Sequence, residues 1–333
     1  MAAAAAVIGL VLLGPVLPSL LSMESEPPAI SILPPFRQEP KAVPQEELVN
    51  HMLEQINKDR ASFGLEPVKL GSNSAAQIHA EDVFRNKQIS HWMSNGEKPY
   101  MTYSKYGGMG SMGQNVAIAG FSRAQYDLCT QSTRYDCEII DPLVTLGELQ
   151  YEMMYNDTEC CDDGHRNNIL NKFRTDVSIG IYYDKYYLAL VQNFENNYGL
   201  DININGGSAK ISGVFDAGVV DHIAVYYDVI PTPELYEQNK HSLSYSGGEL
   251  VAVVLKPLPP GFFYEQPEDY RLLIAREWNT PDDSTVDVSF DFARAVDVDG
   301  VYTISVMAKT LDGNETFEAA SYSVFVNAES EVQ

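Results

Sequence analysis

Residues 160–170 read CCDDGHRNNIL, which places two adjacent thiols, two carboxylates and an imidazole within six positions. Residue types at this density admit three chemistries. Thiolate, imidazole and carboxylate together make a zinc site. Paired cysteines make a disulfide clamp beside a site. Asp162 and Asp163 ahead of a short amphipathic run offset the positive end of a helix. The other two cysteines, Cys129 and Cys137, lie close by in the sequence. Bridging Cys160 to Cys161 strains the peptide between them, so the expected disulfides cross between 129/137 and 160/161, with both crossed pairings open. Each would close a loop worth about 3 kcal/mol.

The background for this segment is acidic. The 333 residues carry 22 Lys plus Arg against 46 Asp plus Glu, a formal charge of -24. Such a chain lacks the cationic surface by which proteins hold nucleic acid or anionic lipid, so neither is an expected partner. From Ala2 to Ser22 there is no charged side chain, and residues 1–23 read as a signal peptide or an N-terminal membrane anchor. Either places the body outside the cytosol, where an even, clustered set of cysteines oxidises. In that setting Asn156 and Asn314, each opening an Asn-x-Thr triplet, are candidate glycosylation sites.

Elements must position these groups. Residues 24–45, rich in proline, read as a stiff spacer. Leu48, Met52 and Ile56 then recur at helical spacing, and Gly64 supplies a stop. A second helix carries Ala76, Ala80, Val83 and Phe84. The stretch from Tyr100 to Gly120 reads as a glycine- and tyrosine-rich loop, and a third helix runs from Val144 to Tyr155. The period changes to two at Val177–Tyr183 and Tyr187–Phe194 around an Asp184-Lys185 turn, a β-hairpin. Residues 197–208 form a Gly/Asn-rich boundary. Seven alternating runs follow: Ala209–Phe215, His222–Tyr227, Glu249–Leu255, Arg271–Glu277, Thr285–Phe292, Val301–Ala308 and Phe317–Val326. They predict an antiparallel, immunoglobulin-like β-sandwich over 208–328 without a cysteine pair. The fold class is α+β.

Three blocks in the first region, Ile89-Ser-His91-Trp92, Gly113-Gln-Asn-Val-Ala117 and Gly164-His-Arg-Asn-Asn-Ile-Leu170, precede a Val177-Ser-Ile-Gly180 strand and a strand ending Val191-Gln-Asn-Phe194. In this order they resemble the CAP superfamily, also called the SCP or cysteine-rich secretory protein family, in its bacterial and archaeal style. The resemblance covers about residues 46–197 and implies an α-β-α sandwich with a central cleft. Better-studied members hold two histidines and two glutamates in that cleft. Carried over, the histidines are His91 and His165. Gln114 stands where the family has its first glutamate, and Glu148 or Glu152 matches the second.

Two imidazoles with carboxylates would hold a divalent cation such as Zn2+, and an amide at 114 makes that a weaker trap and a poor general base. His51, His222 and His241 read as structural or surface residues, with His79 on the second helix the exception to watch. Asp297-Val-Asp299-Gly300 lacks the distal glutamate of a calcium loop and reads as a turn. Tyr100, Tyr103 and Tyr106 line a cleft or anchor a loop. No serine elbow, phosphate loop or dinucleotide fingerprint is present. The expected function is an exported or surface-anchored, non-enzymatic binding module that recognises a surface protein, glycan or lipid. The alternatives are a peptidase-like metallohydrolase using His91 and His165, and lipid carriage.

Overall fold

The structure, a computed structural model, describes residues 7–11, 42–131, 137–279 and 284–327. Leu48, Met52 and Ile56 are fully buried along one stripe of α1 (Gln45–Ser62), as their spacing requires. The strand β2 (Lys69–Leu70), the helices α2 (Ala75–Asn86) and α3 (Pro99–Lys105), and the strand β3 (Ser111–Gly120) follow. Then come α4 (Arg123–Gln131), α5 (Pro142–Tyr155), α6 (Thr158–Cys161), α7 (Gly164–Ile169), β4 (Asp176–Tyr183) and β5 (Tyr187–Asn196). Preceding them all, β1 (Val7–Val11) pairs in parallel with β3. The remainder of the leader, and the spacer up to residue 41, lie outside the described residues. Among the described residues no helix is long and apolar enough to cross a membrane.

The first unit is a five-stranded sheet in the order β1-β3-β5-β4-β2 with helices on both faces. The alternation of β3 shows the layering. Val116 packs in a cluster with Ala76, Ala80 and Val83 of α2. Its neighbours Ala117 and Ala119 pack with Leu48, Met52 and Ile56 of α1 and Leu146, Leu149 and Met153 of α5. The expected loop over Tyr100–Gly120 is therefore a helix followed by a central strand. Residues 111–117 of that strand are buried throughout, so its polar residues face partners rather than water. The α2 helix lies so close to β4 that a Cβ at Gly180 would sit 2.0 Å from the Ala76 carbonyl oxygen. That approach accounts for the glycine in the Val-Ser-Ile-Gly block.

The second unit is two sheets around one core. Its elements are β6 (Asp201–Asn205), β7 (Ser208–Val214), β8 (Val219–Asp228), α8 (Pro233–Asn239), β9 (Glu249–Leu255), β10 (Arg271–Ile274), β11 (Glu277–Asn279), β12 (Thr285–Asp291), β13 (Gly300–Lys309) and β14 (Thr316–Val326). The orders are β10-β9-β8-β13-β14 and β11-β12-β7-β6. Ile211, Val288 and Phe290 of one sheet meet Ile223, Val254, Ile304 and Val306 of the other, which is a β-sandwich. The Gly/Asn-rich boundary contributes a strand, β6, which pairs with β7 across the Gly206-Gly207 turn. The run expected over Arg271–Glu277 divides, because β10 pairs in parallel with β9 and β11 pairs with β12 in the other sheet. Tyr302, buried on β13, donates to the Val298 carbonyl at 3.0 Å and accepts from the Asp297 and Val298 amides. Asp297 itself forms a two-pronged pair with Arg271, so this turn is held by protein groups.

The units meet across a polar seam. Lys98 and Asp228 pair at 2.6 Å with both side chains largely buried, and Tyr100 donates to the same carboxylate at 2.5 Å. Ser111 donates to Glu318 at 2.7 Å, Asn196 donates to the Glu318 carbonyl at 2.7 Å, and the Ser323 amide donates to Ser104 Oγ at 2.9 Å. Phe173 stacks on Phe317 with ring centres 4.3 Å apart. A loop from the second unit therefore has a fixed place on the first.

Candidate functional site

Successive positions of β3 aim at opposite faces of the sheet, and each anchors one of the two sequence-predicted histidines. Gln114 points toward the α2 side. Its carboxamide oxygen accepts from His91 Nδ1 at 3.0 Å, and its nitrogen donates to His79 Nδ1 at 3.0 Å and to Asn193 Oδ1 at 3.1 Å. His79 Nε2 lies 3.0 Å from the Ser90 carbonyl, which can only accept. The tautomers follow from that end of the chain. His79 is protonated on Nε2 and accepts through Nδ1, and His91 carries a proton on Nδ1. Burial pushes the His79 imidazole down to about 4, the Coulombic pull of Asp82 only partly opposing it.

Tyr245, from the loop between α8 and β9 of the second unit, closes over this chain. Its ring centre lies 5.3 Å from that of His91, 6.3 Å from Trp92 and 6.0 Å from Tyr100, and the residue is only 6% exposed. Its hydroxyl reaches Met112 Sδ at 3.9 Å. Beside it, a cavity of about 380 Å³ opens at the seam, lined by Trp92, Lys98, Met101, Asp228, Leu235 and Tyr245 among others.

Asn115 points the other way. Its amide nitrogen donates to the His165 carbonyl and to Gln192 Oε1, both at 3.2 Å, and its oxygen accepts from Asn168 at 2.9 Å. Gly113 shares this face, where a Cβ would lie 2.3 Å from Asn168 Oδ1. Thus Asn115 of one block and Asn168 of another form one buried amide network, for which Gly113 leaves room, and it fixes α7 against β3. Buried Arg60 secures the far end of α7, donating to the Ile169 carbonyl at 2.7 Å and the Asn171 carbonyl at 3.0 Å.

His165 belongs to a second cluster. Its Nδ1 lies 2.5 Å from Asp157 Oδ1, and both side chains are fully buried. Asp157 Oδ2 accepts from the backbone amides of His165 and Arg166 at 2.8 and 3.1 Å. The carboxylate that dresses the start of α7 is therefore Asp157, one turn further back than the expected Asp162 and Asp163. Those two residues instead adopt left-handed backbone (φ 49° and 59°) and make the tight turn that folds α7 back on α6. One ligand atom each from Asp157, Cys160, Cys161 and His165 fall within 4.8 Å of one another, a group able to hold a metal ion.

The disulfides overturn the crossed pairings. Cys129 joins Cys137, and Cys160 joins its neighbour Cys161 with Cα atoms 3.7 Å apart. Each bond joins cysteines close in sequence, eight residues and one residue apart, so proximity along the chain outweighed the strain that the crossed reading assigned to neighbours.

The five predicted cleft residues do not assemble into one site. Glu148 is exposed on α5, and Glu152 accepts from Asn156 at 3.0 Å. Buried Gln150 and Gln192 occupy the inward positions instead, bonded to each other at 2.9 Å. With the Gln114 carboxamide committed to three partners, Tyr245 over His91 and both glutamates elsewhere, these residues do not fit the divalent cation that the family resemblance implies. Asp157 and Tyr245 are absent from the expected site, Asn193 appears only within the Val191–Phe194 strand, and His79 is the exception noted on the second helix. Asp157 had one signal, a carboxylate eight residues before the histidine. Tyr245 had none, since it reaches the site from the other unit.

No protein-family model matches the chain, and no curated protein matches it. Among solved structures, an extracellular protein containing an SCP domain from Bacillus anthracis str. Ames aligns with 21% identity and a TM-score of 0.31. The alignment covers 46% of this chain and 41% of that one, so this chain spans about two fifths of the length of the protein it matches.

Proposed function

We propose that the chain is an exported CAP-type module that works by binding rather than by catalysis, with an immunoglobulin-type sandwich as its second part. The observation that carries this reading is Tyr245, seated on His91 and largely removed from solvent. A hydrolase needs water and a substrate carbonyl beside its base, and here an aromatic ring of the same chain holds that position. The helix–sheet–helix layering and the shared network of Asn115 and Asn168, for which Gly113 leaves room, support the CAP reading. The strand orders and the Tyr302 hydroxyl turned back onto the Val298 carbonyl support the immunoglobulin type. Two disulfides support export, with attachment through the leader where it is retained. Recognition of a surface protein, glycan or lipid then falls to the seam cavity and the outer faces.

The test uses the full chain produced in an oxidising compartment, with Tyr245→Ala opening the cleft. Wild type and variant are screened for peptide and ester hydrolysis. Neither turns over on the binding reading. Hydrolysis that appears in Tyr245→Ala and disappears when His91→Ala is added would overturn it in favour of a masked hydrolase.

A further inference from the structure

The cluster on the α7 side is chemically unlike anything the binding reading uses. Asp157, Cys160, Cys161 and His165 come from one nine-residue stretch, from the start of α6 into α7, and the left-handed turn at Asp162 and Asp163 brings its two ends together. Asp157, Cys161 and His165 are buried, and Cys160 Sγ lies 3.8 Å from Asp157 Oδ1. His165 Nε2 is buried with no hydrogen-bond partner among the described residues. Buried polar atoms are rarely left so, and the other nitrogen of the same ring, Nδ1, faces the Asp157 carboxylate of the cluster at 2.5 Å.

We propose that this segment is a redox-gated metal site: reduction of the Cys160–Cys161 bond by a dithiol or phosphine converts it into a two-sulfur, one-nitrogen, one-oxygen site for Zn2+. With a dithiol as reductant, two electrons and two protons pass to the protein sulfurs, the S–S bond breaks, and the reductant closes its own disulfide. Zn2+ then displaces the two thiol protons to solvent and binds two thiolates, a ring nitrogen of His165 and the Asp157 carboxylate. That donor set and count suit zinc, whose structural sites take four sulfur, nitrogen or oxygen ligands. In the oxidised chain the sulfurs are bonded to each other and offer no anionic ligand, so the same residues bind zinc poorly. Adjacent cysteines thus serve as a switch, which the Cys129–Cys137 bond cannot do, because its sulfurs have no histidine or carboxylate partner in a common cluster among the described residues.

This inference is independent of whether the chain binds or hydrolyses anything at the Tyr245 cleft. Its test is the metal content of the full-length protein, oxidised or treated with a phosphine reductant, after Zn2+ is added and free ion removed. Co2+ in place of Zn2+ reports thiolate ligation through its charge-transfer absorption. The reduced chain should retain one Zn2+ and show the thiolate band, and the oxidised chain should bind at least about tenfold more weakly. Cys160→Ser/Cys161→Ser should lose both signals, and Cys129→Ser/Cys137→Ser should keep them. Circular dichroism confirms that each variant is folded. Should Cys160→Ser/Cys161→Ser lose its fold, Asp157→Asn replaces it, with affinity expected to fall about tenfold while the thiolate band persists. Equal zinc binding by oxidised and reduced protein, a reduced folded chain that binds none, or a Co2+ spectrum without thiolate character would each overturn the site.

Discussion

The two histidines that the family resemblance would put in one cleft are held in opposite ways. His91 ends a relay, His91–Gln114–His79–Ser90, in which the Ser90 carbonyl fixes the tautomer of His79 and, through the amide at 114, the proton on His91 Nδ1. His165 sits instead against a buried carboxylate that also binds two backbone amides, next to two sulfurs. One side is closed by hydrogen bonding and capped by Tyr245. The other concentrates charge and soft ligands. The difference traces to a single residue step along β3, since Gln114 and Asn115 necessarily face opposite layers. A motif that looks continuous in sequence can therefore serve two chemistries once a strand runs through it.

The largest effect is expected where charge is concentrated. Asp157→Ala strips a buried carboxylate from the His165 ring and from two amides, leaving three donors without acceptors at a cost of about 4 kcal/mol. Chemical denaturation at neutral pH measures the loss. The His91 relay, on the far face, should be undisturbed, so imidazole resonances of His79 and His91 should keep their tautomeric pattern. A change in those resonances comparable to that of His165 would mean that the two clusters are one site.

The second effect distinguishes the relay by pH. Burial holds His79 down to about 4, below its ordinary 6.5, so between these values the unfolded chain takes up a proton that the folded protein refuses. The stability this residue contributes is complete above about pH 6.5 and is lost as pH falls toward about 4, a swing of about 3 kcal/mol. His79→Gln should flatten that acid limb in denaturation curves recorded from pH 7 to pH 4. An unchanged limb would place the acid sensitivity elsewhere.

How much of this was legible depended on which forces act locally. The stripe Leu48–Met52–Ile56 and the hairpin around Asp184 follow from period alone, because burial on one face writes itself into sequence. The strand β3 did not, since Gln114 and Asn115 put polar residues in a buried strand where partners from α2, α7 and β5 satisfy them. The blocks Gly113–Ala117 and Gly164–Leu170 were visible as motifs. Their main work, however, is packing: Gly113 clears space for Asn168, and Asn115 binds the His165 carbonyl. The disulfide pairing was read from local strain, and proximity along the chain decided it instead. Tyr245 shows the same limit, because contact between units is a property of the assembled seam.

The smallest effect tests the residue on which the relay turns. Gln114→Glu replaces an amide that donates to His79 by a carboxylate that can only accept. The donation from His91 Nδ1 survives, and Asn193 can turn its amide nitrogen toward the new oxygen, since that nitrogen has no partner in the wild type. His79 Nδ1 cannot be satisfied unless it takes a proton, which would create a buried ion pair. At pH 8 the variant should therefore be less stable by about 2 kcal/mol, the cost of one buried unmatched contact between acceptors. As pH falls, protonation of His79 supplies the missing donor, so the deficit should shrink toward pH 5, where wild type is losing stability. The two denaturation curves converge on acidification if His79 and Gln114 act as one hydrogen-bonded unit. Parallel curves would show that the glutamine at 114 is a spacer and that the relay has no bearing on stability.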